Sequence, residues 1–287
     1  MATAMRTMSW RTRRRVKSIA VHVLAVIVTG IMLLPLTWIV TTSFRPLEDV
    51  IAVPVRVIPT RFTIQAYVDM WDAAPFLRFT LNSVLVSTAT ALLALVFSAL
   101  AAYAFVRFRF WGSRVLLVFV LVSQALPGAS ILLPLFRTIW RLGMYDTQQG
   151  LILVYIGFVT PFCTWLLMGY FYSIPVELED AARVDGASSL EVLWRIVVPL
   201  SAPAIVAVGA FAFLAAWNEF LFAFVLTQDD ARKTVAVGLV TSFFTQYVNI
   251  WNQVAAASIV FSLPPVLLFL LVQRQFISGL TAGAVKG

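Results

Sequence analysis

The chain has very little of what soluble enzymes use for chemistry. Its 287 residues hold one cysteine (Cys163), one histidine (His22) and three lysines (Lys17, Lys233, Lys286). One cysteine excludes an internal disulfide, and one histidine excludes a zinc set of the usual spacing or an H-E-x-x-H protease site. No lysine follows a glycine, so the Gly-Lys-[Ser/Thr] turn that cradles nucleotide phosphates is missing. Charge is scarce too. Asp, Glu, Lys and Arg make up 12% of the residues, half of the roughly 25% that covers a soluble domain. No metal site, cofactor or catalytic residue is expected in the chain itself.

Apolar bulk takes the place of charge, with 61% hydrophobic residues and a mean hydropathy of +0.92. Six stretches are long enough to span about 30 Å of hydrocarbon, which takes about 20 helical residues. They run near Ile19 to Thr41, Thr80 to Phe105, Val115 to Leu135, Gly150 to Tyr172, Leu200 to Leu226 and Gln253 to Val272. In lipid the backbone must satisfy itself, which leaves helices or closed barrels. Barrel strands alternate over about 10 residues, whereas these runs are continuous and longer. The first run also exceeds a signal-peptide core and lacks a small-residue cleavage site, so it reads as a retained span. The expected fold class is all-α, a polytopic membrane protein of six helices.

Lysine and arginine divide unequally between alternate loops. Thirteen fall on the side of the N-terminal tail, which alone contributes Arg6, Arg11, Arg13, Arg14, Arg15 and Lys17, and eight fall on the other. The excess predicts that both termini face the cytoplasm. The formal charge of +8 is therefore a topology signal toward anionic lipid, and nucleic acid is not an expected partner.

The loop 173–199 between the fourth and fifth stretches has helix punctuation twice. Ser173 is expected to cap a first helix that tolerates Pro175, with Glu177, Glu179 and Asp180 near its positive dipole end. Arg183 falls in its last turn, and Asp185-Gly186 supplies a left-handed stop. Ser188-x-x-Glu191 then fits a capping box that opens a second helix toward Pro199. A docking element and an ordinary amphipathic connector both fit this punctuation.

The same loop reads Asp180-Ala181-Ala182-Arg183-Val184-Asp185-Gly186 and, after nine intervening residues, Ile196-Val197-Val198-Pro199. It resembles the EAA motif of bacterial ABC-importer permeases, E-A-A-x3-G-x9-I-x-L-P, with Asp180 for Glu and Val198 for Leu. Other stretches look like the carbohydrate, maltose-type branch: Leu34-Pro35, Thr42-Ser43-Phe44, Leu81-Asn82-Ser83 and Ala101-Ala102-Tyr103-Ala104 with Arg107-Phe108-Arg109-Phe110. Trp217-Asn218-Glu219-Phe220-Leu221 and the C-terminal Gly279-Leu280-Thr281 with Gly283-Ala284-Val285-Lys286-Gly287 complete the match.

The resemblance implies a permease subunit of an ATP-driven sugar importer in the bacterial inner membrane. Its expected organisation is a basic tail at 1–18, a permease domain at 19–272 and a C-terminal tail at 273–287. Its implied partners are a second permease subunit, a cytoplasmic ATPase dimer that binds ATP and Mg, an extracytoplasmic sugar-binding protein and membrane lipid. The ATPase-coupling residues are then expected at Glu177, Glu179, Asp180, Ala181, Ala182, Asp185, Gly186, Ile196 and Pro199. A permease for a non-sugar solute and a proton-coupled secondary transporter are the alternatives. The second of these would need coupling-ion sites and inverted repeats that the sequence does not display.

Glu219 is the sole acid within a predicted span, about 28 Å from its inner end at 1.5 Å per residue. Either Asn218 and Glu219 belong to the outer translocation path or gate, or Glu219 anchors helix to helix by hydrogen bonds. Prolines interrupt several spans, and Pro127-Gly128 with Pro134 marks the third as the one to break. That break would line a cavity or merely reflect irregular packing. Trp140, Tyr145 and Trp251 fit an interfacial belt better than sugar-stacking platforms.

Overall fold

The computed structural model describes residues 10–53, 59–108, 110–244 and 250–284, with side chains at all of these except 11–13 and 275–284. Arg6, Arg56, Arg109 and the Val285-Lys286-Gly287 end of the C-terminal match lie outside the described residues. Every regular element among the described residues is helical. Four helices are long and apolar enough to cross a membrane: Arg14–Ser43, Phe76–Arg107, Gln148–Phe171 and Trp251–Arg274. They coincide with the first, second, fourth and sixth predicted stretches. Two bent pairs raise the number to six if each is one span.

The chain divides into two compact units, the first made of Met1–Met70 and Tyr247–Ile259. It holds α1 (Trp10–Ser43), α2 (Leu47–Val50) and the start of α3 (Gln65–Ala73). Hydroxyls on α1 bond back to their own helix, Thr37 to Leu34 O at 2.8 Å and Thr41 to Trp38 O at 3.0 Å. Such back-bonding lets polar side chains sit in an apolar segment. At the end of α1, Ser43 Oγ pairs with Tyr67 Oη at 2.9 Å. Buried Asp49 accepts from both the amide and the hydroxyl of Thr60 at 2.6 Å.

The second unit comprises Trp71–Gln246 and Val260–Gly287. Its centre is α4 (Phe76–Arg107), which packs on α7 (Gln148–Phe171) and α11 (Ala202–Trp217). Ala91, Ala94, Ser98, Ala99 and Ala102 are buried on α4, and such small residues let helices approach closely where lipid supplies no hydrophobic drive. Ser98 Oγ donates to Thr160 O across the α4–α7 contact at 3.1 Å. Short helices α5 (Ser113–Val122) and α6 (Gly128–Arg141) form the third predicted span. They are bent by 103° at a break that includes Pro127, so the Pro-Gly interruption does break that span.

The fifth stretch departs from expectation. Its helix α11 ends at Trp217, and α12 (Leu221–Leu226) follows after an interruption at 218–220. A second bend, of 87°, separates Ser189–Leu200 from α11 at its other end. From α12 the chain passes to α13 (Val235–Phe243), whose Gly238 meets the Phe79 ring so closely that no Cβ fits. Asn82 of the Leu81-Asn82-Ser83 stretch is nearly buried and clamps the intervening loop, donating to Ala231 O and Lys233 O at 3.0 and 2.9 Å. Ser83 Oγ accepts from Val235 N at 2.8 Å. The last helix, α14 (Trp251–Ala284), opens in the first unit and closes in the second.

Candidate functional site

The loop between α7 and α11 folds into a helical elbow. α8 (Val176–Val184) starts after Pro175, whose fixed φ presets the extended entry, and Glu177 and Glu179 lie in its first turn. Ser173 does not cap it. Its hydroxyl donates back to Tyr170 O at 2.7 Å, a carbonyl in the last turn of α7, and no side chain caps α8.

The far end of α8 closes as the sequence predicts. Gly186 has φ +89°, its amide donates to Arg183 O at 3.0 Å, and Ala187 N donates to Ala182 O at 2.9 Å. This 6→1 and 5→2 pair is a Schellman motif, which needs a left-handed residue that glycine supplies without steric cost. Ala182 therefore contributes its carbonyl as well as its small side chain.

The second helix opens on a complete capping box. Glu191 N donates to Ser188 Oγ at 3.3 Å, and Ser188 N donates to Glu191 Oε2 at 2.9 Å. The Ser188 backbone bond, then its hydroxyl and Arg195, hold the Glu191 carboxyl below the usual carboxylate range. α9 (Ser189–Val192) continues as a π turn at Leu193–Val197, which includes half-buried Ile196, and then as α10 (Val198–Leu200). Pro199 brings no N–H for an α-helical bond to Arg195, and the wider turn ends two residues before it.

On α8, Glu177, Asp180, Ala181 and Val184 are exposed. Their spacing puts them in one stripe along the helix. Asp185 and Gly186 are exposed at its end. Glu179 faces the other way. Its side chain is 0% exposed, and Arg107 Nε donates to Oε1 at 2.6 Å. Tyr103 Oη and Arg183 Nη2 donate to Oε2 at 3.0 and 3.3 Å. Arg107 Nη2 also donates to Phe171 O and Ile174 O, each at 3.0 Å. The Glu179 carboxylate is thus bonded inside the chain, unlike the exposed Glu177 and Asp180 on the same helix. Tyr103 and Arg107 are functional candidates that residue-type reasoning left without a role. Their i, i+4 spacing at the end of α4 was the available clue.

The second candidate lies at the interruption after α11. Asn218 is exposed and donates from Nδ2 to Leu214 O at 2.8 Å, closing α11. Glu219 accepts from Tyr155 Oη at 2.7 Å, Phe222 N at 2.9 Å and Ala223 N at 3.1 Å. It holds the free amides of α12 and ties them to α7. Of the two readings of Glu219, the anchor is the one with bonds drawn. Beside it is a cavity of about 330 Å3 lined by Gln124, Tyr155, Phe158, Phe162, Phe211 and Glu219. No group of three His, Cys, Asp or Glu side chains that could hold a metal occurs among the described residues.

Known proteins resemble the chain in sequence and in overall fold. The chain is 35% identical over 273 residues to the trehalose/maltose transport system permease protein MalG of Thermococcus litoralis, covering 94% of this chain and 98% of that protein. It is also 35% identical over 259 residues to the inner membrane ABC transporter permease protein YcjP of Escherichia coli, covering 90% and 92%. A chain in the crystal structure of a bacterial ABC transporter involved in import of the acidic polysaccharide alginate superposes with a TM-score of 0.80. That chain shares 25% identity, over 93% of this chain and 99% of its own length. Residues 94–281 match the family described as binding-protein-dependent transport system inner membrane component, and the chain belongs to that family of multi-pass ABC-importer permeases.

Proposed function

We propose that this chain forms one half of the pore of an ATP-driven sugar importer and couples it to a separate ATPase through the elbow. The carrying observation is the helix α8, closed at its C-terminal end by its own Schellman turn, exposed along Glu177, Asp180, Ala181 and Val184 and pinned inward by Glu179. Such an element fits a partner's groove without having to fold on arrival. The sugar class rests on relatives named for trehalose and maltose and for diacetylchitobiose.

In this reading the permease domain at 19–272 crosses the membrane six times, with α5 and α6 together making one crossing and α11 with α12 another. Both termini, the tails at 1–18 and 273–287 and the elbow at 173–199 face the cytoplasm, as the arginine and lysine excess favours. A second permease subunit completes the pore, an extracytoplasmic binding protein delivers the sugar, and lipid surrounds the assembly. The chain is not itself catalytic, and ATP and Mg belong to the ATPase dimer. Asp180, Ala181 and Asp185 meet that dimer, Gly186 sets the exit angle, and Ile196 and Pro199 shape the return into α11. The interruption at Asn218 and Glu219, with its cavity, is this chain's part of the translocation path.

The test uses the whole importer in lipid vesicles. A thermal-shift screen of sugars against the binding protein first identifies the solute, and ATP hydrolysis is then followed with that sugar. Gly186→Val and Asp180→Arg are expected to abolish stimulation by the loaded binding protein while leaving membrane insertion intact. Normal stimulation in both variants rejects the elbow as the coupling element.

A further inference from the structure

α8 is continuous with α7 on one side and leads through α9 and α10 into α11 on the other. Its tie to α4 is of a different kind, because no adjacent stretch of chain joins them. Tyr103 and Arg107 come from the last turns of α4, on one face, and both reach Glu179. The same guanidinium holds the carbonyls of Phe171, the last residue of α7, and Ile174 just beyond it. One arginine therefore fastens the ends of α4 and α7 to the first turn of α8.

The chemistry makes this joint stiff. A guanidinium is a planar fork, and with Nε on the carboxylate and Nη2 on two carbonyls its orientation is fixed as well as its distance. The Arg107 side chain is 9% exposed and that of Glu179 0%. Parting the two would strand charges out of water, so the pair resists opening far more than an exposed ion pair does. Asp180 and Arg183, paired at 2.8 Å with 63% and 35% of their side chains exposed, have no such constraint.

We infer that Arg107 and Tyr103 are positioning residues for transport, which through Glu179 make α4 a third output of α8 beside α7 and α11. A displacement of α8 by the ATPase then reaches the helix around which the second unit packs, without passing along the chain. This inference rests on the coupling function proposed above.

The distance between α8 and α4 tests it in the assembled importer. Spin labels are placed at Leu178→Cys on α8 and Leu100→Cys on α4, both exposed positions, on a Cys163→Ser background. MgATP is the probe. In the otherwise native chain the distance is expected to change by less than about 1 Å when MgATP binds. In Glu179→Gln and in Arg107→Lys, which keeps the charge but loses the fork, it is expected to shift by about 2 Å or more, the scale of interface helix movements. A shift in the native chain, or constancy in both variants, overturns the inference. Should the single variants fail to accumulate, Arg107→Met with Glu179→Leu replaces them, since removing both charges leaves no unpaired ion; a shift there supports the joint and constancy overturns it. Failure of the ATPase to bind even the native chain instead overturns the coupling function itself.

Discussion

Glu179 and Glu219 are two carboxylates in one apolar chain, each held by a tyrosine of a long helix, and they are neutralised differently. Glu179 has a cation at 2.6 Å and a second at 3.3 Å. Glu219 has two backbone amides at the start of α12 and, among the bonds described, no cation. The first arrangement joins three separate elements through a charge pair. The second stabilises a local break by occupying amides that a continuous helix would have satisfied itself. An acid in an apolar chain is therefore not one kind of feature. Its partners decide whether it ties separate elements together or permits a helix to stop.

That contrast can be broken by experiment. The largest effect is expected from Arg107→Ala, which leaves Glu179 buried without its nearest cation and should cost about 3–5 kcal/mol. Thermal unfolding of the detergent-purified importer would read this as a clear fall in Tm. Tyr155→Phe removes one bond to Glu219 and leaves both amides in place, for an expected loss of about 1 kcal/mol. Equal losses in the two variants would show that the cation adds nothing and that the two acids are alike.

An effect of similar size, read locally, sharpens the comparison at the elbow. Ser188→Ala removes a cap and is expected to cost about 1 kcal/mol of local helix stability, read as faster hydrogen exchange at the Glu191 amide. The same box predicts a pH response. Because the folded Glu191 carboxyl lies below its ordinary value, chiefly through the Ser188 backbone bond, its contribution is complete above the ordinary carboxylate range. It is lost as pH falls through the lowered value. Exchange at Ser188 should accelerate only on that acidification, and Glu191→Gln should flatten the response.

The elbow was legible because its grammar is local. Gly186 and the Ser188–Glu191 box act within five residues of themselves, so sequence spacing is enough to place them. The direction of Glu179 was not legible, since Arg107, 72 residues earlier, decides it. Ser173 misled for a related reason: a serine before a helix can cap it or turn back to the preceding carbonyl, and here Tyr170 O takes the hydroxyl. The third span announced its break through Pro127-Gly128. The fifth did not, because Trp217, Phe220 and Leu221 keep the run apolar while the interruption depends on Glu219 finding Tyr155 from another helix.

The Schellman turn at Gly186 and the box at Ser188 have a kinetic corollary. Both ends of the bend are closed by the chain's own groups, so the docking proposed above would need no refolding of this segment and would forfeit little conformational entropy each time. In that proposal a contact remade in every transport cycle can be weak and fast, with its specificity carried by a shape that exists before the partner arrives.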